Sequence, residues 1–179
     1  MKNMNDKKNG KQIILMRHAH TQLVQNHQRD ISRTLSDQGT LEAKAAAKFL
    51  SKYKIDKILV SPAMRTMQTL NLILSSHKKT EVEEVKSIYE SSALKILKDI
   101  TCQNASINSL MIIGHNPEIL NLIICLANEK KNDNYDLLIR QGMKPAQIVI
   151  IDIPSIDNWC LSEERNGIIT DIFTPPYEE

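Results

Sequence analysis

The sequence predicts an α/β fold, a three-layer sandwich with a central, mainly parallel sheet and helices on both faces. Two observations carry that expectation. Three short apolar runs, Gln12–Met16, Ile55–Val60 and Leu110–Ile113, have the near-continuous hydrophobicity of strands buried on both faces. These runs alternate with helical patterns, and two of them lead into a cap-then-proline pair, Ser61-Pro62 and Asn116-Pro117, of the kind that opens a helix. With 179 residues, 41% of them hydrophobic, the chain suits one compact domain. The expected organisation is a polar N-terminal arm, residues 1–11, and a single domain, residues 12–179. No internal repeat, low-complexity block or interdomain linker is visible.

Taken in order, the first strand, Gln12 to Met16, delivers Arg17 and His18 to its end. From Ser36 to Leu50 the chain is Ala-rich with apolar positions at helical spacing, and Ser36 is a good N-cap. Ile55 to Val60 is the second strand, after which Ser61 caps and Pro62 starts a helix over Ala63 to Leu74. An extended segment is expected around Val82 to Tyr89, then a short helix from Ala93 to Ile100. Leu110 to Ile113 is the third buried strand, with Asn116 capping and Pro117 starting a helix to about Ala127. Glu129 to Arg140, charged and Asn-rich, reads as a surface excursion. Ala146 to Ile153 and Ile168 to Phe173 have strand character, and Pro175-Pro176 ends the regular structure.

A formal charge of +2 is mildly basic, which argues against nucleic-acid binding as the main activity and is compatible with small anionic substrates. Cys102, Cys125 and Cys160 are widely spread without a C-x-x-C pair, so neither a disulfide framework nor a thiolate zinc site is indicated. No apolar run is long enough to cross a bilayer, and the polar start lacks a signal-peptide core. A cytoplasmic protein with no membrane partner is expected.

The chemistry converges at three junctions. Arg17-His18, Arg65 and His115 each lie at or beyond the carboxyl end of an expected strand, and in an open parallel sheet those ends share one edge, the usual place of ligand sites. Two helix N-termini there favour an anion. Two guanidiniums can grip the peripheral oxygens of a phosphoryl group, and a second imidazole can share its charge while the first attacks phosphorus. A lone Arg-His pair would read as an ordinary surface pair; three agreeing junctions read as a phosphate site. Metal binding through His18 and His20 lacks a third ligand at recognisable spacing, so no metal and no cofactor are expected. His27 and His77 lie in polar surroundings and read as surface residues. Lys78-Lys79 and Lys130-Lys131 read as solvated pairs, while Met64 and Met67 read as core or pocket-wall packing.

The segment Leu15-Met16-Arg17-His18-Ala19 resembles the R-H-G/A signature of the histidine phosphatase superfamily, also called the phosphoglycerate mutase-like superfamily. Ser61 to Thr69 resembles its S-x-x-x-R-x-x-Q-T segment, and Gly114-His115-Asn116 its later G-H motif. The likeness runs from the first strand to about Ile153. It implies a phosphoglycerate mutase-like fold, His18 as nucleophile, and Arg17, Arg65 and His115 as the phosphate pocket. Asp30 to Gly39, Ile88 to Ser92 and Gly114 to Pro117 are most similar to the SixA-type phosphohistidine phosphatases. That likeness implies a phosphorylated partner protein of the histidine-phosphotransfer type, with Arg33 reaching substrate. Ala19 stands where many members carry glycine, and His20 where an acidic or polar residue is common.

The implied mechanism is two-step and metal-independent: His18 attacks phosphorus in line, the leaving group departs, and water hydrolyses the phosphohistidine. Glu90 is the candidate proton donor for an alkoxide leaving group, by its match to acidic Tyr-Glu relatives; a solvated loop carboxylate is the alternative. A small phosphorylated substrate, as for a phosphomonoesterase or a mutase, uses the same pocket chemistry. A phosphate-binding adaptor that has lost turnover is the non-enzymatic alternative, against which the intact set of Arg17, His18, Arg65 and His115 argues.

Overall fold

A computed structural model describes residues 10–23, 27–129, 135–154, 156–160 and 166–176. Its frame is one six-stranded sheet of β1 (Gly10–Arg17), β2 (Lys57–Val60), β3 (Glu81–Glu84), β4 (Ser109–Gly114), β5 (Ile148–Pro154) and β6 (Ile168–Phe173). The spatial order is β3-β2-β4-β1-β5-β6. The pairs β3/β2, β2/β4 and β4/β1 are parallel, whereas the pairs β1/β5 and β5/β6 are antiparallel, so the sheet is mixed. Ile13 to Met16, Leu110 to Ile113 and Ile148 to Ile151 have no exposed surface, as expected of strands covered on both faces.

Alternation along the strands divides that apolar surface between two cores. Ile14, Met16, Ile58, Val60, Met111, Ile113, Ile148 and Ile150 face α1 (Asp37–Leu50) and α2 (Met64–Ile73). Ile13, Leu15, Leu59, Leu110, Ile112, Val149 and Ile151 face α3 (Ser87–Glu90), α4 (Ala93–Thr101), α5 (Glu118–Leu126) and α6 (Tyr135–Gln141). The three-layer expectation holds. No described helix is long and apolar enough to cross a membrane.

Several local expectations are corrected. Residues 1–9 of the polar arm and Lys130-Lys131 lie outside the described residues, but Lys11 belongs to β1 and is buried. Its ammonium donates to Ala105 O (2.6 Å), Ile107 O (2.9 Å) and Asn108 Oδ1 (2.9 Å), so all three donors are met. The extended segment expected to reach Tyr89 ends at Glu84, and the chain then makes the single turn α3. Neither proline begins a helix: α2 starts at Met64 with Ala63 as its N-cap, and α5 starts at Glu118 after a cis Asn116–Pro117 bond. The excursion expected over Glu129 to Arg140 contains α6, which buries Tyr135 and Leu138 against the second core. His77 is buried between Ile73 O and Tyr53 O, not on the surface, while Met64 is 46% exposed and only Met67 packs on a core.

Candidate active site

The parallel register puts the carboxyl ends of three strands at one level: Arg17 is opposite Gly114, and Ile113 is opposite Val60. Ladder bonds continue one residue further, His18 N–H donating to Gly114 O (3.0 Å) and Ser61 N–H to Ile113 O (3.2 Å). The backbone after β1 is held from every side. Ala146 N–H donates to His18 O (3.1 Å), Ala19 N–H to Thr69 Oγ1 (3.2 Å), and His20 N–H to Glu42 Oε2 (2.8 Å). His20 O accepts from Ser36 N–H, and Gly39 packs so closely that a Cβ there would sit 2.0 Å from that carbonyl oxygen. This glycine is required by close approach, since its φ is ordinary for a helix. The N-terminus of α1, capped by Ser36 Oγ on Gly39 N–H (3.0 Å), therefore presses on the loop that carries His18.

His18 Nδ1 lies 2.8 Å from Ala19 O. A carbonyl can only accept, so Nδ1 carries the proton and Nε2 keeps its lone pair. Burial lowers the His18 pKa to about 3, partly opposed by that backbone bond and reinforced by the charges of His115, Arg65 and Arg17. The ring is thus neutral at ordinary pH. His115 lies with its ring centroid 5.2 Å from that of His18, and its pKa is lowered to about 4 by burial and by Arg65 and Arg17, with Asp30 opposing. Its Nε2 is 2.7 Å from Ser61 Oγ, and its Nδ1 is buried with no hydrogen-bond partner.

Arg65, in the first turn of α2, is buried. Its Nη1 donates to Asp30 O (2.8 Å) and its Nη2 to Asp30 Oδ2 (2.9 Å), while Nε is buried without a partner. Arg17 Nη1 donates to Met143 O (2.6 Å), and Asn116 Nδ2 donates to the same carbonyl (3.0 Å). Tyr89 stacks edge-on to His115, with centroids 5.6 Å apart, and donates its hydroxyl to Asp30 Oδ2 (3.1 Å). Two guanidiniums and a second imidazole thus surround an imidazole with a free lone pair. Such a group can bind a tetrahedral oxyanion and present a nitrogen nucleophile to its central atom.

A model of the histidine phosphatase superfamily (branch 1) matches residues 13–104, just over half of the chain. The chain belongs to that superfamily. Among solved structures, a protein assigned as the phosphohistidine phosphatase SixA of Agrobacterium tumefaciens is similar with a TM-score of 0.78 and 23% identity, covering 92% of this chain and 98% of that one. The protein histidine phosphatase SixA in complex with tungstate is similar at 0.71 and 22%, covering 92% and 97%. The mycobacterial glucosyl-3-phosphoglycerate phosphatase Rv2419c is similar at 0.65 and 14%, covering 90% and 97%. A Mycobacterium leprae protein, the uncharacterized ML1117, is 24% identical over 143 residues, 77% of this chain and 87% of that one. The fold is that of the histidine phosphatases, and the chain is placed among phosphatases.

In this histidine phosphatase the four residues expected at the strand ends, Arg17, His18, Arg65 and His115, come together. Arg33 and Glu90 do not join them directly. Arg33 bonds to Thr21 Oγ1 and to Asp30 Oδ1 (3.3 Å), reaching the cluster only through Asp30. Glu90 closes α3 with an exposed side chain, beside Tyr89. His20 turns its Nδ1 to Ser36 Oγ (2.9 Å), away from any ligand set with His18, and among the described residues no three His, Cys, Asp or Glu side chains gather as a metal would need. Sequence reasoning missed Asp30, Ser61 and the Met143 carbonyl. Ser61 was masked by its proline, which suggested an N-cap. A main-chain carbonyl leaves no sequence signal at all.

Proposed function

We propose that the protein is a metal-independent phosphatase that forms a phosphohistidine on His18 Nε2 and takes phosphohistidine on a protein as its substrate. The observation that carries the proposal is the Nδ1–H bond of His18 to Ala19 O, which leaves Nε2 unprotonated between Arg65, Arg17 and His115. Arg17, Arg65 and His115 bind the phosphoryl oxygens; His18 Nε2 attacks in line, and its Nδ1–H donates to Ala19 O throughout, so the phosphorylated ring carries its positive charge against a fixed dipole. Water then attacks phosphorus and the electron pair returns to Nε2.

The choice of leaving group rests on what stands near the pocket. Asp30 is drawn upward by burial, but its bonds from Arg65, Arg33 and Tyr89 outweigh this and hold the carboxyl below its ordinary range, so it is ionised at neutral pH and cannot donate a proton. Glu90 is exposed and makes no side-chain hydrogen bond to the four pocket residues among the described residues. A leaving group that needs little acid assistance, an imidazole, fits this pocket better than an alkoxide. The likeness to structures named as SixA supports the same reading; the likeness to a glucosyl-3-phosphoglycerate phosphatase keeps a small phosphate ester as the second.

The test is a substrate panel of a phosphohistidine-bearing phosphotransfer protein, phosphoglycerates and sugar phosphates, assayed with wild type and Glu90→Gln. The phosphohistidine protein is expected to give the highest kcat/KM, with Glu90→Gln leaving P–N turnover unchanged. A clear preference for phosphoglycerate or a sugar phosphate would overturn the substrate reading.

A further inference from the structure

Asp30 bonds to Arg65, Arg33 and Tyr89 but takes no part in the transfer step itself. It is nonetheless the acidic side chain tied most directly into the pocket. Its Oδ2 takes Arg65 Nη2 and the Tyr89 hydroxyl, its Oδ1 takes Arg33, and its charge reaches His115. The side chain also remains 52% exposed, so a negative charge bonded to the pocket's Arg65 is accessible from solvent. Asp30 O separately accepts from Arg65 Nη1, so part of the anchorage of Arg65 is independent of the carboxylate.

We propose that the Asp30 carboxylate selects the N-phosphorylated substrate, by favouring the protonated, imidazolium form of the incoming phosphohistidine ring. The proposal rests on the phosphohistidine reading above. A phosphohistidine ring joined to phosphorus through one nitrogen can carry a proton on the other; a neighbouring carboxylate stabilises that cation. As His18 Nε2 forms its bond to phosphorus, the P–N bond of the substrate breaks and its electron pair stays on the substrate ring. That ring keeps its proton and departs as neutral imidazole, while the positive charge passes to the newly phosphorylated His18. Atoms and charge balance without any proton donor. The same carboxylate repels a substrate whose leaving group is itself anionic, such as a phosphoglycerate.

The experiment compares kcat/KM for a phosphohistidine peptide with that for para-nitrophenyl phosphate, in wild type, Asp30→Asn and Asp30→Glu, with folding checked by circular dichroism. Both activities are expected to fall in Asp30→Asn because Arg65 loses its charged partner. The phosphohistidine rate should fall about tenfold further, the effect of about one pK unit on the bound ring. Asp30→Glu, which keeps the charge, should restore the ratio towards wild type. Equal losses for the two substrates in Asp30→Asn, or a ratio in Asp30→Glu no better than in Asp30→Asn, would reduce Asp30 to a support for Arg65 and overturn the inference alone. Failure of the wild-type enzyme to turn over the phosphohistidine peptide would instead overturn the substrate reading, and this inference with it.

Discussion

His18 owes its chemistry to three local facts: a strand that ends at Arg17, a carbonyl next in sequence that accepts from its Nδ1–H, and burial, reinforced by nearby cations, that keeps the ring neutral. With pKa values lowered to about 3 and 4, both pocket imidazoles should remain uncharged well below the usual histidine range. Ring 15N NMR of the ligand-free protein should therefore show His18 and His115 neutral at pH 5, with His18 as the Nδ1–H form; titration of either near the ordinary histidine value of 6.5 would contradict burial as the cause. Ser61, buried and 2.7 Å from His115 Nε2, should matter beyond its size. Ser61→Ala leaves a buried ring nitrogen unpaired at a cost of about 1–3 kcal/mol and should lower kcat. A variant as stable and as active as wild type in urea unfolding and steady-state assays would remove Ser61 from the site. At this scale Arg17, His18, Arg65 and His115 were legible because each follows a strand whose end the sheet aligns. Ser61 and Asp30 were not, since Ser-Pro is also an ordinary helix-start signal and a loop aspartate has no pattern that announces which guanidinium it meets.

Gly39 tests how an element positions the proposed nucleophile, His18. Within a helix, replacing glycine by alanine is ordinarily favourable by about 1 kcal/mol. Here the added methyl would lie 2.0 Å from His20 O, backbone that is itself held by Ser36 and Glu42. Gly39→Ala is expected to lose about 1–3 kcal/mol, through overpacking, and to lower kcat/KM by displacing the loop that bears His18. A stabilised variant with full activity would mean that α1 does not brace that loop. The long elements were readable because their apolar runs and Ala-rich spacing are local signals. α6 was not: it has seven residues in a charged, Asn-rich stretch, and only Tyr135 and Leu138 betray its buried side. The antiparallel course of β5 was equally invisible, since it depends on the chain returning to the His18 edge, where Ala146 N–H meets His18 O and Ile148 pairs with Met16.

For the molecule as a whole, the same neutral imidazoles that the proposed attack requires make the fold sensitive to acid. A histidine whose folded pKa lies below its unfolded value of 6.5 takes up a proton more readily when unfolded, so its contribution is fully present above about pH 6.5 and is lost as pH falls towards 4 for His115 and 3 for His18. Each ring should add a slope of up to about 1.4 kcal/mol per pH unit across that window. Asp56, lowered by its bonds from Lys54, Asn108 and Ser109 against the upward pull of burial, adds a further loss below its ordinary range of 3.8. Urea unfolding at pH 7, 6 and 5 should show stability declining with pH, and His115→Gln should flatten the decline; a pH-independent midpoint would contradict the assignment of buried neutral rings. The central claim, that phosphate passes through His18, is tested most directly by trapping. Brief incubation with a 32P-labelled phosphohistidine donor and denaturation in alkali should leave a label that is stable to base, released by acid, and carried by the peptide containing His18. It should be absent from His18→Ala, which should also be inactive. A label on another residue, or turnover retained by His18→Ala, would contradict the account.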